Sequence, residues 1–197
     1  MVSTAVTTQD DLNSILQAGS QGVLDSYREF RIEYPKKSLA EVGLTDKFMV
    51  AAQKNARLGQ KDVHFERSSN ENLTCSDLQV KVDGKYWVFF QAKVAKKKDG
   101  ETYANFVNES KKGDAPDFQN ILLAQHAKKL KTAAYYVIYD ETAVWWVNAI
   151  ALMSYLNSGV SGGDVDVCIR AFKELAKESY LKAMADPWQE HLIKSKF

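Results

Sequence analysis

The pair Asp83-Gly84 sits between two stretches that both read as strands, Asp77–Val82 before it and Lys85–Val94 (KYWVFFQAKV) after it. Aspartate and glycine tolerate the left-handed backbone of tight turns, so this pair between branched and aromatic runs predicts a β-hairpin. The second run is continuously apolar through Trp87–Phe90, and Ala133–Tyr139 (AAYYVIY) is apolar almost throughout. A strand that must hide both faces belongs in a sheet covered on each side.

The helices to cover such a sheet are legible. Over residues 8–34, Leu12, Ile15 and Leu16, then Val23, Leu24, Tyr27 and Phe30, recur at helical spacing. Gly19 and Gly22 punctuate this stretch into two helical runs, and Pro35 stops the second. Ser38-Leu39-Ala40-Glu41 has the form of a capping box; an apolar stripe of Phe48, Met49, Ala52 and Ala56 then runs to about Leu58, where Gly59 offers a stop. Residues 63–67 (VHFER) suggest a short strand. Residues 95–116 read as a long polar loop carrying Lys96-Lys97-Lys98. Asp117–Lys131 predicts a helix with Phe118, Ile121, Leu122 and Leu130 on its buried side, and Val144–Ile150 a further strand. Leu152–Leu156 is short and apolar, and residues 158–163 are a glycine-rich connection. Asp164 is placed to cap a helix that reaches about Ala185 and ends at Pro187.

The whole chain, 1–197, therefore reads as a single domain: helices over 1–37, a core over 38–150 and a helical extension over 151–197. Composition narrows the functions open to it. The formal net charge is +1, which argues against a protein that coats nucleic acid non-specifically but leaves room for a local basic cleft. No apolar run suits a membrane span, and MVSTAVTTQDD has neither the basic nor the apolar region of a secretion signal. Cys75 and Cys168 stand alone, as small buried residues of a reducing compartment would, so the cytoplasm is the expected location.

From residue 44 to 139 the order is helix, strand, strand, strand, helix, strand. Asp77 opens the second strand, and Gln91-Ala92-Lys93 follows late in the third after thirteen intervening residues. This pattern resembles the restriction-endonuclease-like superfamily, the PD-(D/E)xK nucleases, in a Gln-x-Lys variant: Ser76 stands where the proline is usual and Gln91 where an acidic residue is. WVFFQAKV, a helix with Gln119 and then YYVIYD are also similar to small uncharacterised proteins of bacterial defence or prophage regions. The resemblance covers about half the chain. It implies an α/β fold with an αβββαβ core and a mixed central sheet flanked by helices, with N- and C-terminal helical additions. It further implies a DNA endonuclease, with a role in phage defence or a mobile element.

The chemistry fits these residue types. Asp77, the Gln91 carboxamide oxygen and the Ala92 carbonyl are hard oxygen ligands suited to Mg²⁺, with Mn²⁺ able to substitute. Lys93 would hold the attacking water or stabilise developing charge. Gln91 and Lys93 are two apart on a strand and share a face. Asp77 joins them only in some registers. A two-residue loop pairs Val82 with Lys85 and sets Asp77 opposite Phe90, on the wrong face. A three-residue loop, Val82-Asp83-Gly84 with Gly84 left-handed, pairs Lys81 with Lys85 and sets Asp77 opposite Phe89; a bulge elsewhere would also bring it round.

The superfamily pattern lets Glu41 complete the metal set, although Glu41 is equally the third helical position of the capping box. Gln119 would touch the phosphate or lie on the helix surface. Lys96, Lys97 and Lys98 would steer phosphate or form a solvated loop. Gly159-Val160-Ser161-Gly162-Gly163 matches a nucleophile elbow but lacks the buried strand before it. His64, His126 and His191 form no zinc-like cluster, and Tyr135-Tyr136 and Trp145-Trp146 suit a core. The expected partner is nucleic acid, DNA ahead of RNA, with no membrane, and the resemblance allows a homodimer. An RNase using the same site, or a catalytically inactive module of this fold that binds nucleic acid or a protein partner, remain the alternatives.

Overall fold

The computed structural model describes residues 7–34, 39–69, 75–98, 101–106, 109–110, 117–150, 152 and 166–168. A five-stranded mixed sheet forms its centre, with strands in the order β1 (Val63–Arg67), β2 (Leu78–Val82), β3 (Tyr86–Val94), β8 (Ala133–Tyr139) and β9 (Val144–Asn148). Only β3 and β8 run parallel; the other neighbours are antiparallel. Parallel neighbours need a crossover. Here the crossover contains α3 (Gln119–Leu130).

Helices lie against both faces, as the apolar strands require. One face carries Leu78, Val80, Val88, Phe90, Ala92, Tyr135 and Val137, packed on α1 (Gln9–Glu33) and α2 (Glu41–Leu58). The other carries Phe89, Tyr136 and Ile138 against Leu123 and Ala127 of α3. The chain is thus α/β. Among the described residues no helix is long and apolar enough to cross a membrane.

Gly19 and Gly22 do not divide the first helical stretch. They lie inside one continuous α1, where the absent side chain lets α2 approach. A Cβ at Gly19 would sit 2.5 Å from the Phe48 ring, and one at Gly22 would sit 2.6 Å from the Ala51 Cβ. Thr8 and Asp11 build the N-terminal capping box of this helix, and α1 ends at Glu33, ahead of Pro35.

Ser38, the expected start of a capping box, lies outside the described residues, and the helix begins later than that box would place it. Ala40 is the N-cap of α2, its own side chain makes no capping hydrogen bond, and Glu41 is the first helical residue. At the other end Gly59 has φ −78°, and the left-handed residue is Gln60 at φ 52°.

The segment taken as a polar loop contains strands. β4 (Lys96–Lys98) pairs with β5 (Glu101–Asn105), which pairs in turn with β10 (Asp166–Cys168). The last pairing corrects the helix expected from Asp164, at least over 166–168. The remainder of that segment lies outside the described residues, as do the glycine-rich connection at 158–163 and His191. β6 (Glu109–Ser110) pairs with β7 (Asp117–Phe118), so α3 starts at Gln119, two residues later than expected. Its buried stripe is Leu123, Ala124 and Ala127, while Leu130 is exposed. Small residues at successive turns let the helix sit close to β8. The strand from Val144 stops at Asn148, whose side chain accepts a hydrogen bond from the Ile150 N–H at 2.9 Å and turns the chain into a helical conformation.

Candidate functional site

The β2–β3 turn decides where Asp77 points. Asp83 and Gly84 both take positive φ, 50° and 64°, and the Lys85 N–H donates to the Val82 carbonyl at 3.1 Å. Lys85 is then an extra residue, so Val82 pairs with Tyr86 and Leu78 with Phe90. Asp77 therefore falls opposite Gln91 rather than Phe89. The loop consists of Asp83, Gly84 and Lys85, one residue further on than Val82-Asp83-Gly84, and the parity that joins Asp77 to Gln91 and Lys93 is satisfied. Contacts beyond the hairpin hold this turn. The Asp83 N–H donates to the Asp62 carbonyl at 2.7 Å, and its carboxylate accepts from the Thr7 hydroxyl at 2.6 Å.

Asp77 is fixed by its own backbone, its N–H donating to Phe90 O at 2.8 Å and its carbonyl accepting from Ser68 N–H at 3.1 Å. Oδ2 of Asp77 accepts from the Ala92 N–H at 2.6 Å and from the Gln91 amide Nε2 at 2.5 Å. The same Nε2 lies 3.4 Å from the Ala92 carbonyl oxygen. Gln91 and Lys93 are buried, at 4% and 7% exposure, which is unusual for such side chains on an ordinary hairpin face.

Glu41 reaches the same strand end from α2. Its Oε2 accepts from the Val94 N–H at 3.2 Å, so the carboxylate serves β3 rather than its own helix. Burial pushes its pKa up; Lys93 opposes that shift and the nearby Asp77 charge adds to it. The helix start is held by a relay in which the Tyr139 hydroxyl donates to Thr45 Oγ1 at 3.4 Å and Thr45 donates to the Glu41 carbonyl at 2.9 Å. Arg67 adds a bond to the Val42 carbonyl at 2.8 Å.

Asp77, Gln91, Ala92, Lys93 and Glu41 are thus brought together at the end of β3. Lys96 is exposed just beyond it. The side chains of Lys97, Lys98 and Gln119 lie outside the described residues. Sequence reasoning missed Tyr136. It is paired with Gln91 across β3 and β8, is fully buried, and its hydroxyl has no hydrogen-bond partner among the described residues. Burial raises its pKa, and the Cys75 and Asp77 charges raise it further, so it stays a protonated donor beside the site. The signal was alternation along Ala133–Tyr139, but only the parallel register places Tyr136 beside Gln91. Tyr135 and Trp146 belong to the core. His64 is exposed beside Asp62, and His126 packs edge-on to Phe89.

Among the described residues, no three His, Cys, Asp or Glu side chains form a cluster that could hold a metal. The donor set here is instead two carboxylates, a carboxamide and a backbone carbonyl, with a lysine beside them. Those are hard oxygen donors of the kind that suit Mg²⁺ or Mn²⁺.

The chain belongs to the DUF6615 family, a family of unknown function, which it matches over residues 12–192. No curated protein matches it.

Proposed function

We propose that this protein is a metal-dependent nuclease of the restriction-endonuclease-like type, hydrolysing phosphodiester bonds of nucleic acid, with DNA ahead of RNA as substrate. The observation that carries the reading is the Asp77 carboxylate meeting the Gln91 side chain and the Ala92 N–H, with Lys93 two residues on and Glu41 arriving from α2. The α/β fold and the order α2-β1-β2-β3-α3-β8, interrupted by β4–β7 before α3, support it.

Asp77, Gln91, Ala92 and Glu41 would hold Mg²⁺, or Mn²⁺ in its place. The ion would supply a water of lowered pKa and a positive charge against the phosphate oxygens. Lys93, held nearly dry, would orient the attacking water or stabilise the charge that builds on phosphorus oxygens; a cation in a low-dielectric pocket does this more strongly than one in water. Lys96, exposed beyond the strand end, would draw the phosphate backbone.

One observation favours a second reading, an inactive module of the same fold that binds nucleic acid or a protein. Gln91 carries no charge, and it turns its amide nitrogen rather than its oxygen toward Asp77.

The test is cleavage of plasmid, single-stranded DNA and RNA with Mg²⁺ or Mn²⁺ against EDTA. Lys93→Ala is expected to lose about 10²-fold or more of the rate. Metal-dependent cutting that Lys93→Ala retains in full would remove the proposed mechanism. No cutting of any substrate would move the protein to the second reading.

A further inference from the structure

Gln91 stands where two acceptors face one another. Asp77 Oδ2 and the Ala92 carbonyl oxygen can only accept hydrogen bonds, and Gln91 Nε2 lies within 2.5 Å of the first and 3.4 Å of the second. A carboxamide offers a donor at one end and an acceptor at the other, so these two oxygens fix which end turns inward. The NH₂ group therefore occupies the space that the proposed cation would share with the same two oxygens. It brings partial positive charge to a half-buried carboxylate, as an ion would.

We infer that the Gln91 amide is a built-in cation surrogate: it keeps the site folded without metal, and its side chain must turn over, oxygen inward, when a divalent cation enters. The inference rests on the hydrolase reading and adds to it a reason for Gln91 in place of a carboxylate. A glutamate here would put three carboxylates, those of residues 41, 77 and 91, around one partly buried point, with Lys93 and the more distant Lys96 to offset them. Like charges that close disfavour one another's ionised form. Such a site would be unstable empty and avid for metal. The glutamine gives the reverse balance, a stable empty site that a cation enters only by displacing the amide from Asp77. Specificity follows as well. With one fewer negative ligand the site holds cations less tightly, because affinity for hard cations tracks the charge count of their ligands.

The test compares thermal unfolding of the full chain as wild type, Gln91→Glu and Gln91→Met, first in EDTA and then across a titration of Mn²⁺ or Mg²⁺. Calorimetric titration supplies the affinities. In EDTA both variants are expected to melt several degrees below wild type, Gln91→Glu through repulsion and Gln91→Met because Asp77 loses the amide donor and keeps the Ala92 N–H. Saturating Mn²⁺ is expected to raise Gln91→Glu by more than wild type and to leave Gln91→Met the least stabilised. Mn²⁺ affinity in Gln91→Glu is expected to tighten by about tenfold or more. If Gln91→Glu does not fold without metal, refolding in Mn²⁺ becomes the measurement: recovery is the expected result, and failure while Gln91→Met folds normally would overturn the inference. Equal melting of all three proteins in EDTA would overturn it too. Equal stabilisation of wild type and Gln91→Glu by Mn²⁺ would overturn the surrogate role yet leave the cation site standing. Stabilisation of no variant by either ion would remove the cation site itself, and the hydrolase reading with it.

Discussion

Replacing Gly19 by alanine should destabilise the protein, although alanine is the better helix former. A Cβ built at Gly19 lies 2.5, 2.7 and 2.8 Å from three atoms of the Phe48 ring. Carbon atoms rest at roughly 3.5–4.0 Å from one another, so the overlap is about 1 Å. The ring has nowhere to go. Phe48 is fully buried, with the Trp146 ring centroid at 5.3 Å and that of Phe65 at 6.1 Å. Either α1 separates from α2 or the aromatic cluster opens, and overpacking of this kind costs about 1–3 kcal/mol. Helix propensity returns about 1 kcal/mol in an exposed helix interior. The steep overlap puts the packing cost in the upper half of its range, so the expected net loss is about 1–2 kcal/mol. Gly43→Ala is the matched control, because no atom of the described residues lies within 4 Å of a Cβ there. It should gain about 0.5–1 kcal/mol, with no clash to offset it. Urea unfolding reads both: the midpoint should fall for Gly19→Ala and rise for Gly43→Ala with unchanged slopes. A rise in both would refute the close-packed α1–α2 contact.

The Tyr136 hydroxyl is buried without a partner among the described residues, so Tyr136→Phe should raise stability by about 1 kcal/mol in thermal unfolding; a lower melting temperature would mean that the hydroxyl is bound, by an internal water or otherwise. The Asp11 carboxyl is held down from its ordinary 3.8 to about 2, first by the hydrogen bond from Lys61 and then by Thr8. Because that pKa is depressed in the fold, the stability it contributes is complete above 3.8 and drains away as pH falls toward 2. Asp11→Asn should flatten this part of the acid-unfolding curve, and an unchanged curve would assign acid sensitivity to other groups. Gln53 shields the open edge of β1, accepting from the Phe65 N–H and donating to the Val63 carbonyl, both at 2.9 Å. Gln53→Ala should therefore increase concentration-dependent self-association in light scattering; unaltered scattering would show that the edge needs no such cover.

Much of the architecture was legible because it rests on local patterns. Trp87–Phe90 and Ala133–Tyr139 are apolar on successive positions, which only a strand covered on both faces satisfies, and helices cover both faces of the sheet. Punctuation was less reliable. Gly19 and Gly22 read as breaks because glycine is a poor helix former, yet a neighbouring helix uses the space they leave. The stretch from Lys96 reads as loop because its residues are polar, yet β4 and β5 join β10 in one small sheet and β6 joins β7 in another.

The site divides in the same way. The polar pair Gln91 and Lys93 at the end of an apolar strand, and their common face, follow from the sequence because alternation along a strand is a property of its own backbone. Whether Asp77 joins them depends on one residue of register, and the turn sequence allows more than one register. The choice is made by groups far along the chain, Thr7 and the Asp62 carbonyl, which bind Asp83 and leave Lys85 as the extra residue. Glu41 was ambiguous for a related reason. Its sequence neighbours offered it a helix cap, and only the approach of α2 to the end of β3 presents it with the Val94 N–H. The chain encodes which residues are candidates for the site; contacts between distant segments decide whether they meet, because a side chain's direction is local and its partner is not.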